Sequence, residues 1–89
     1  MQVISGCLEE GVEKGCYVVK DRRTGRTYNV MFPGRKPDIG MGFRAAGQVE
    51  RNQMTTCQQG EPFRVQSWQT MRLRCGGVVT TAQGLNGTR

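Results

Sequence analysis

The sequence predicts an all-β protein: one small barrel of five short antiparallel strands, followed by a flexible tail. Short runs of β-branched and aromatic residues alternate with glycine- and proline-rich turns, which is the pattern of strands. No stretch keeps apolar residues at helical spacing for more than about two turns. The chain has 89 residues, enough for one hydrophobic core and therefore one domain.

The first three strands are predicted before residue 33. The first contains the apolar residues Val3, Ile4, Cys7 and Leu8, and it closes in a turn at Glu9 and Glu10. Gly6 interrupts this strand, for which a bulge or a tight bend is the usual explanation. Residues 16–19 and 27–32 form the second and third strands, and the turn residues between them predict a hairpin.

The remaining chain predicts two more strands. Residues 33–38 contain two prolines, which fix φ and remove backbone donors, so this segment is expected to be a basic loop. Residues 43–49 alternate as a fourth strand, and Phe63 begins the fifth. Because an open sheet of this size would leave unpaired edges, we expect closure into a barrel. Residues 2–74 are assigned to this barrel domain, and residues 75–89 to the flexible tail.

Composition excludes several function classes. Thirteen Lys and Arg against seven Asp and Glu give a net charge of +6, and the chain has no histidine, the usual acid–base group near neutral pH. We find no nucleophile with a base partner, no catalytic carboxylate pair and no phosphate-binding glycine loop, so no enzyme activity and no cofactor are expected.

The segments that direct a protein to a membrane or out of the cell are not recognisable in the sequence. No apolar run approaches the length of a spanning helix, and the first residues lack the basic and apolar regions of a signal peptide. We therefore expect a cytoplasmic protein with no membrane role, or an exported one if a signal segment precedes the given chain.

The four cysteines allow more than one interpretation. Eight, forty and seventeen residues separate them, without a Cys-x-x-Cys knuckle, so a metal site is not expected. Each cysteine fits either a small buried hydrophobe or one half of a disulfide. Disulfides are rare in reducing cytoplasm, so either an export signal is missing or the thiols stay reduced.

Several residues occupy distinctive places in the predicted strands: Gly6, Tyr28, Gly40, Gly47 and the pair Phe63-x-Val65. This order resembles the OB-fold (oligonucleotide/oligosaccharide-binding) barrel. More narrowly, residues 10–16 and 56–60 are similar to segments of small bacterial OB-like proteins of unknown function, and the similarity spans roughly residues 3–68. The resemblance brings no activity with it.

The resemblance has a consequence for the cysteines. It implies that Cys16 and Cys57 form a structural pair, which by chain-entropy reasoning would contribute about 4 kcal/mol. It supplies no counterpart for Cys7 and Cys75. The short, proline-rich loop after the third strand also departs from the pattern, because many OB-folds carry a helix there.

Basic residues are concentrated in the middle of the chain, where residues 20–74 hold eleven bases against four acids. On an OB-like barrel such residues would form a groove for a phosphate backbone, with aromatic rings to stack bases. The predicted nucleic-acid-binding residues are Arg22, Arg23, Arg26, Arg35, Lys36, Arg44, Arg64, Trp68 and Arg72. The simpler interpretation is a solvated face that keeps a small protein soluble.

Trp68 separates these interpretations in part. Strict alternation from Phe63 places it on the polar face, whereas a bulge near Ser67 would turn it toward the core, which the resemblance favours. We expect a small binding module, with single-stranded nucleic acid or another anionic polymer as partner. The alternative is a protein-interaction or homo-oligomeric assembly module with no nucleic-acid role.

Overall fold

The computed structural model describes residues 1–51, 57 and 59–75, and these residues form one mixed β-sheet. Its strands are β1 (Gln2–Cys7), β2 (Glu9–Glu10), β3 (Tyr17–Lys20), β4 (Thr27–Met31), β5 (Gly42–Val49) and β6 (Glu61–Thr70). The all-β prediction is confirmed. No helix among the described residues is long and apolar enough to span a membrane. Residues 76–89, which the sequence assigns to a flexible tail, lie outside the described residues.

Three features of the predicted architecture are wrong. The described sheet has six strands rather than five, and β4 pairs with β6 in parallel rather than antiparallel. The sheet is also not closed into a barrel. Closure is expected where strand edges would otherwise stay unpaired. Here the Asp21 side chain and the backbone of Arg22 cover part of the β1 edge by hydrogen bonds to Ser5.

The two edges of the sheet nevertheless meet. The strand order is β1-β5-β6-β4-β3-β2, so β1 and β2 lie at opposite edges although only Leu8 separates them in the chain. The sheet must therefore curl back on itself. Two hydrogen bonds join the edges at what we call the β1–β3 junction: Arg22 N donates to Ser5 O (2.9 Å), and Ser5 N donates to Asp21 Oδ1 (3.1 Å).

Gly6 is required by the close approach of two strands at this junction. A Cβ at this position would lie 2.6 Å from the carbonyl oxygen of Lys20 and 2.7 Å from the side chain of Val19. The predicted bulge is wrong, because β1 pairs with β5 without a register shift from Gln2 to Cys7. A glycine inside a strand also marks a place where another backbone comes close, and that explanation applies here.

The short strand β2 is absent from the sequence prediction, which places Glu9 and Glu10 in a turn. In the structure they pair with Val18 and Tyr17 of β3. Both glutamate side chains are exposed. The pairing therefore depends on backbone hydrogen bonds, and the pattern of apolar residues in the sequence does not predict it.

The predicted hairpin between β3 and β4 is confirmed. Its turn is organised by Asp21, a carboxylate that is only 3% exposed. The carbonyl oxygen of Asp21 accepts a hydrogen bond from Gly25 N (2.8 Å), and its side chain accepts one from Thr24 Oγ1 (2.9 Å). Gly25 has a φ of 79°, in the left-handed region that a turn reaches most easily with glycine.

The main core lies on the inner face of the curled sheet. It consists of nine buried residues: Ile4, Leu8, Val19, Tyr28, Val30, Phe43, Ala45, Phe63 and Val65. Tyr17, Phe32 and Trp68 pack against its margin and remain partly exposed. The basic loop before β5 contributes Pro37, which is almost fully buried. This loop therefore belongs to the packed structure rather than extending into solvent.

The cysteines form two pairs at disulfide distance. Cys16 and Cys57 have a Cα–Cα distance of 5.4 Å, and both are buried in a second small cluster with Val18. Cys7 and Cys75 have a Cα–Cα distance of 5.7 Å, and both are half-buried. The second pair attaches Cys75, which the sequence assigns to the tail, to strand β1.

Candidate nucleic-acid interface

The position of Trp68 is set by a bulge in β6. The register of β5 against β6 shifts between Ala46 and Gly47, so that Ala46 faces Ser67 while Gly47 faces Val65. After the shift, Trp68 lies opposite Ala45, a core residue of the inner face. The bulge predicted near Ser67 is confirmed, and it changes the side of the sheet on which Trp68 lies.

Trp68 is held in place by three contacts with two neighbours, Arg35 and Phe32. Its Nε1 donates a hydrogen bond to Arg35 O (2.9 Å), and its ring meets Phe32 edge-on with centroids 6.2 Å apart. The guanidinium of Arg35 lies 5.8 Å from the indole centroid. The indole is therefore fixed before any ligand arrives, and a cation already lies over its ring.

Two grooves adjoin this tryptophan. One, of about 570 Å³, lies between loop residues 33–35 and residues 66–70 of β6. The other, of about 300 Å³, crosses β1, β5 and β6 and includes Val3 and Arg44. Both grooves share Ser67, Trp68 and Gln69. We call the Trp68 surface the following set: Arg35, Arg44, Gln66, Ser67, Trp68 and Gln69.

The charge on the Trp68 surface is uncompensated. Arg35 and Arg44 are exposed, and neither forms an ion pair with another described residue. No carboxylate is among the described residues that line the two grooves. A surface with two free cations, an aromatic ring and no acid attracts an anionic ligand that also carries flat apolar groups.

Two other predicted arginines, Arg26 and Arg64, are already paired with acids. Arg26 and Arg51 both approach Glu61, at 3.8 Å and 3.3 Å, and Arg64 approaches Glu50 at 3.4 Å. These are exposed pairs, so each is weak and screened by salt. They nevertheless reduce the positive potential that Arg26 and Arg64 would offer to a phosphate.

The predicted set does not form one patch. Arg26 lies beside Glu61, seven residues before Trp68 and so about 23 Å away along β6. Arg22 lies at the β1–β3 junction and lines neither of the two grooves beside Trp68. Arg23 is exposed in the same turn as Arg22.

Two further predicted residues line neither groove beside Trp68. Lys36 follows Arg35 in the loop, and its Nζ lies 4.7 Å from the ring centroid of Tyr17. Arg72 follows β6 and is exposed. Of the nine predicted residues, Arg35 shares one groove with Trp68, and Arg44 shares the other.

Sequence reasoning missed the polar residues Gln66, Ser67 and Gln69 beside Trp68. All three adjoin the tryptophan in sequence and occupy exposed positions of β6, which is the signal that could have found them. Strict alternation from Phe63 does not predict their arrangement, because the bulge interrupts the alternation near Ser67. Side-chain amides can both donate and accept hydrogen bonds, which makes them suitable for contacts to base edges.

A different face of the sheet is covered. Asn29 of β4 lies opposite Val18 of β3, which belongs to the cluster with Cys16 and Cys57. Asn29 is 4% exposed, and its Nδ2 donates to Tyr17 O at 3.2 Å. Because this side of β3 and β4 is buried under the cysteine cluster, the open surface for a ligand lies on β5 and β6.

Comparison with known proteins gives no relative: no family model, curated protein or solved structure matches the chain. Within residues 1–51, 57 and 59–75, no group of three or more cysteine or carboxylate side chains is placed to hold a metal ion. The chemistry of the exposed side chains is therefore the basis on which a function can be argued.

Proposed function

We propose that this protein is a small, non-enzymatic binding module that holds single-stranded nucleic acid on the Trp68 surface. The observation that carries the proposal is the position of Trp68, a fixed and partly exposed indole between two grooves that contain cations and no acids. Stacking of a base on an aromatic side chain contributes about 1–3 kcal/mol and tolerates any sequence.

The polar residues of the surface have complementary roles in this proposal. Arg35 would contact a phosphate beside the indole, and Arg44 would contact a phosphate in the second groove, because each is exposed and forms no ion pair with another described residue. Gln66 and Gln69 would form hydrogen bonds with base edges beside the stacked base. The guanidinium of Arg35 now lies over the ring, so binding a base would displace it or enclose it in the stack.

An OB-like arrangement is part of the same proposal. OB barrels are partly open, and they bind ligands on strands two and three. A sheet whose edges meet at the β1–β3 junction is compatible with that type. The equivalent strands here are β3 and β4, whose outer side carries the buried cysteine cluster. We therefore place the ligand on β5 and β6.

The cysteine pairs bear on where the protein works. Two pairs at disulfide distance favour a non-reducing compartment, and hence export, over the cytoplasmic location expected from the sequence. Outside the cytoplasm, an acidic polysaccharide is a second anionic polymer that the same cations would attract. The binding experiment must therefore compare both polymers.

The proposal is tested with a short fluorescent oligothymidylate and with a labelled acidic polysaccharide, each at low and at physiological salt. We expect the oligothymidylate to bind, to quench the emission of the single tryptophan and to weaken with salt. Tighter binding of the polysaccharide without quenching would contradict a stacking surface for bases.

Matched variants locate the site. Arg35→Gln with Arg44→Gln should weaken oligothymidylate binding about tenfold and reduce its salt dependence, because two phosphate contacts are removed. Arg22→Gln with Arg23→Gln removes the same charge away from the Trp68 surface and should have a much smaller effect. Equal losses in the two double variants would mean that net charge alone drives binding.

The second candidate function, a homo-oligomeric or protein-interaction module, draws on one observation. Val3 is 41% exposed on β1, and it lines a groove together with Ala46. Sedimentation over a wide range of protein concentration tests self-association. A dimer that disappears with Val3→Asp would support this candidate, whereas a monomer at every concentration would count against it.

A further inference from the structure

The two cysteine pairs differ in their exposure to solvent. Cys16 is 5% exposed and Cys57 is 8% exposed, and both are buried in the cluster with Val18. Cys7 and Cys75 are half-buried, and both line a groove of about 780 Å³, which we call the Cys7 groove. A small molecule in this groove can therefore reach one cysteine pair, while the other pair is covered.

The Cys7 groove has the size of a small-molecule site, since such sites have volumes of about 300–1,000 Å³. Ile39 and Leu73 add apolar side chains to its lining. Its described lining shares no residue with the two grooves beside Trp68. A molecule that enters the Cys7 groove is therefore independent of the proposed nucleic-acid surface.

Cations outnumber carboxylates among the described residues of this groove. The cations are Lys20, Arg22 and Arg74, and the carboxylates are Glu9 and Glu10. All five side chains are exposed, and none forms an ion pair with another described residue. A thiol attacks a disulfide as its anionic thiolate, so the excess of positive charge favours the approach of a thiolate.

The exposed cysteine pair holds the chain segment that follows β6. Met71 N donates to Gly42 O at 3.0 Å, and a Cβ on Gly42 would lie 2.7 Å from the side chain of Leu73. Residues 72–74 form no backbone hydrogen bond with another described residue. Beyond Met71, the segment is therefore held by the packing of Leu73 and by the link from Cys75 to β1.

We propose that the Cys7 groove is a site of thiol–disulfide exchange, at which a small thiol opens a disulfide between Cys7 and Cys75. The buried pair keeps its own disulfide. The thiolate attacks Sγ of one exposed cysteine and forms a mixed disulfide, and the other Sγ leaves as a thiolate. A second thiolate attacks the sulfur of the small molecule in the mixed disulfide and releases the protein.

The reaction is balanced by the small thiol alone. Two thiol molecules lose two electrons and two protons and become one disulfide. The pair Cys7 and Cys75 gains the two electrons and the two protons and becomes two thiols. Residues 72–75 then lose their covalent link to β1, and the Cys7 groove loses the wall that residues 73–75 form.

The first test follows the two pairs separately in the oxidised full chain. The protein is treated with reduced glutathione at neutral pH, free thiols are blocked by iodoacetamide at intervals, and peptide mass spectrometry identifies the modified cysteines. We expect Cys7 and Cys75 to react at least about tenfold faster than Cys16 and Cys57, with a glutathione adduct on the exposed pair. Equal rates, no reaction at the exposed pair, or an oxidised chain in which Cys7 and Cys75 are not bonded to each other would each overturn the proposal.

A charge variant tests whether the thiol attacks from the groove. Arg74→Glu should slow the exchange with glutathione about threefold, because it removes a cation from the groove lining. Arg72→Glu is the matched control, since Arg72 is exposed in the same segment, changes the net charge equally and does not line the groove. Equal slowing in both variants would contradict attack from the groove.

Brief trypsin treatment tests the release of the segment. Cleavage after Arg72 should become at least about fivefold faster once glutathione has opened the exposed pair, because proteases cut released chain most readily. Cleavage after Arg23, in the exposed turn between β3 and β4, is the control and should keep its rate. An unchanged rate at Arg72, or an equal increase at Arg23, would overturn selective release of the segment.

Discussion

The β1–β3 junction and the Trp68 surface are built from different kinds of contact. At the junction, Asp21 is 3% exposed and accepts hydrogen bonds from Ser5 N and Thr24 Oγ1, and Gly6 lets two strands touch. At the Trp68 surface, one indole hydrogen bond and ring contacts hold a side chain that borders two open grooves.

This difference separates stability from binding in a small sheet. At the junction a side chain on Gly6 would collide with Lys20 and Val19, and Asp21 is buried, so these two residues serve the fold. The Trp68 surface retains exposed cations and amides because its residues lie at the margin of the core and not within it. Substitutions at the junction should therefore lower stability, whereas substitutions at the Trp68 surface should lower affinity more than stability.

The largest stability effect is expected for Cys7→Ala with Cys75→Ala, the pair that joins β1 beside the junction to the segment after β6. The two cysteines are 68 residues apart in sequence. Without the cross-link the unfolded chain gains entropy, which lowers the free energy of unfolding by about 4 kcal/mol. Urea unfolding of the wild type and of the double variant measures the free energy of unfolding.

The control for this prediction is the same double variant under a reducing agent, because any further decrease in its free energy of unfolding then belongs to the remaining pair of Cys16 and Cys57. A decrease in the free energy of unfolding below about 1 kcal/mol would mean that the pair contributes little to the fold. In that case the junction would depend on its hydrogen bonds alone.

A second, smaller effect is expected for Asp21→Ala, because it leaves Ser5 N and Thr24 Oγ1 without their acceptor. Hydrogen bonds to a charged group contribute about 1.5–3 kcal/mol, so the variant should lose about 2 kcal/mol in thermal or urea unfolding. Asp21→Asn keeps one acceptor oxygen and should lose less. Asp38→Ala, at an exposed position, should change stability by no more than about 0.5 kcal/mol.

The sequence predicts the regular parts of this fold well. The β3–β4 hairpin follows from apolar alternation and turn residues, and the inward position of Tyr28 follows from its phase with Val30. It fails where backbone contacts decide the structure. Strand β2 contains two exposed glutamates, and the parallel pairing of β4 with β6 leaves no local pattern.

The candidate site could be predicted only in part for the same reason. Arg35, Arg44 and Trp68 are far apart in sequence, and the fold of the sheet decides that each arginine lines a groove beside Trp68. Charge counting could find the basic residues. It could not show that Arg64 faces Glu50 across an ion pair while Arg44 has no such partner among the described residues.

The smallest stability effect, with a larger effect on binding, is expected for Trp68→Phe. The change removes the hydrogen bond to Arg35 O, which contributes about 1 kcal/mol, and keeps an aromatic ring beside Phe32. Oligothymidylate affinity should fall with Trp68→Phe and fall further with Trp68→Ala, since stacking contributes about 1–3 kcal/mol per base. Urea unfolding measures the change in stability, and fluorescence anisotropy on the same samples measures the change in affinity.

A stability loss above about 3 kcal/mol with unchanged affinity would make Trp68 a core residue like Phe43 and would remove it from the binding surface.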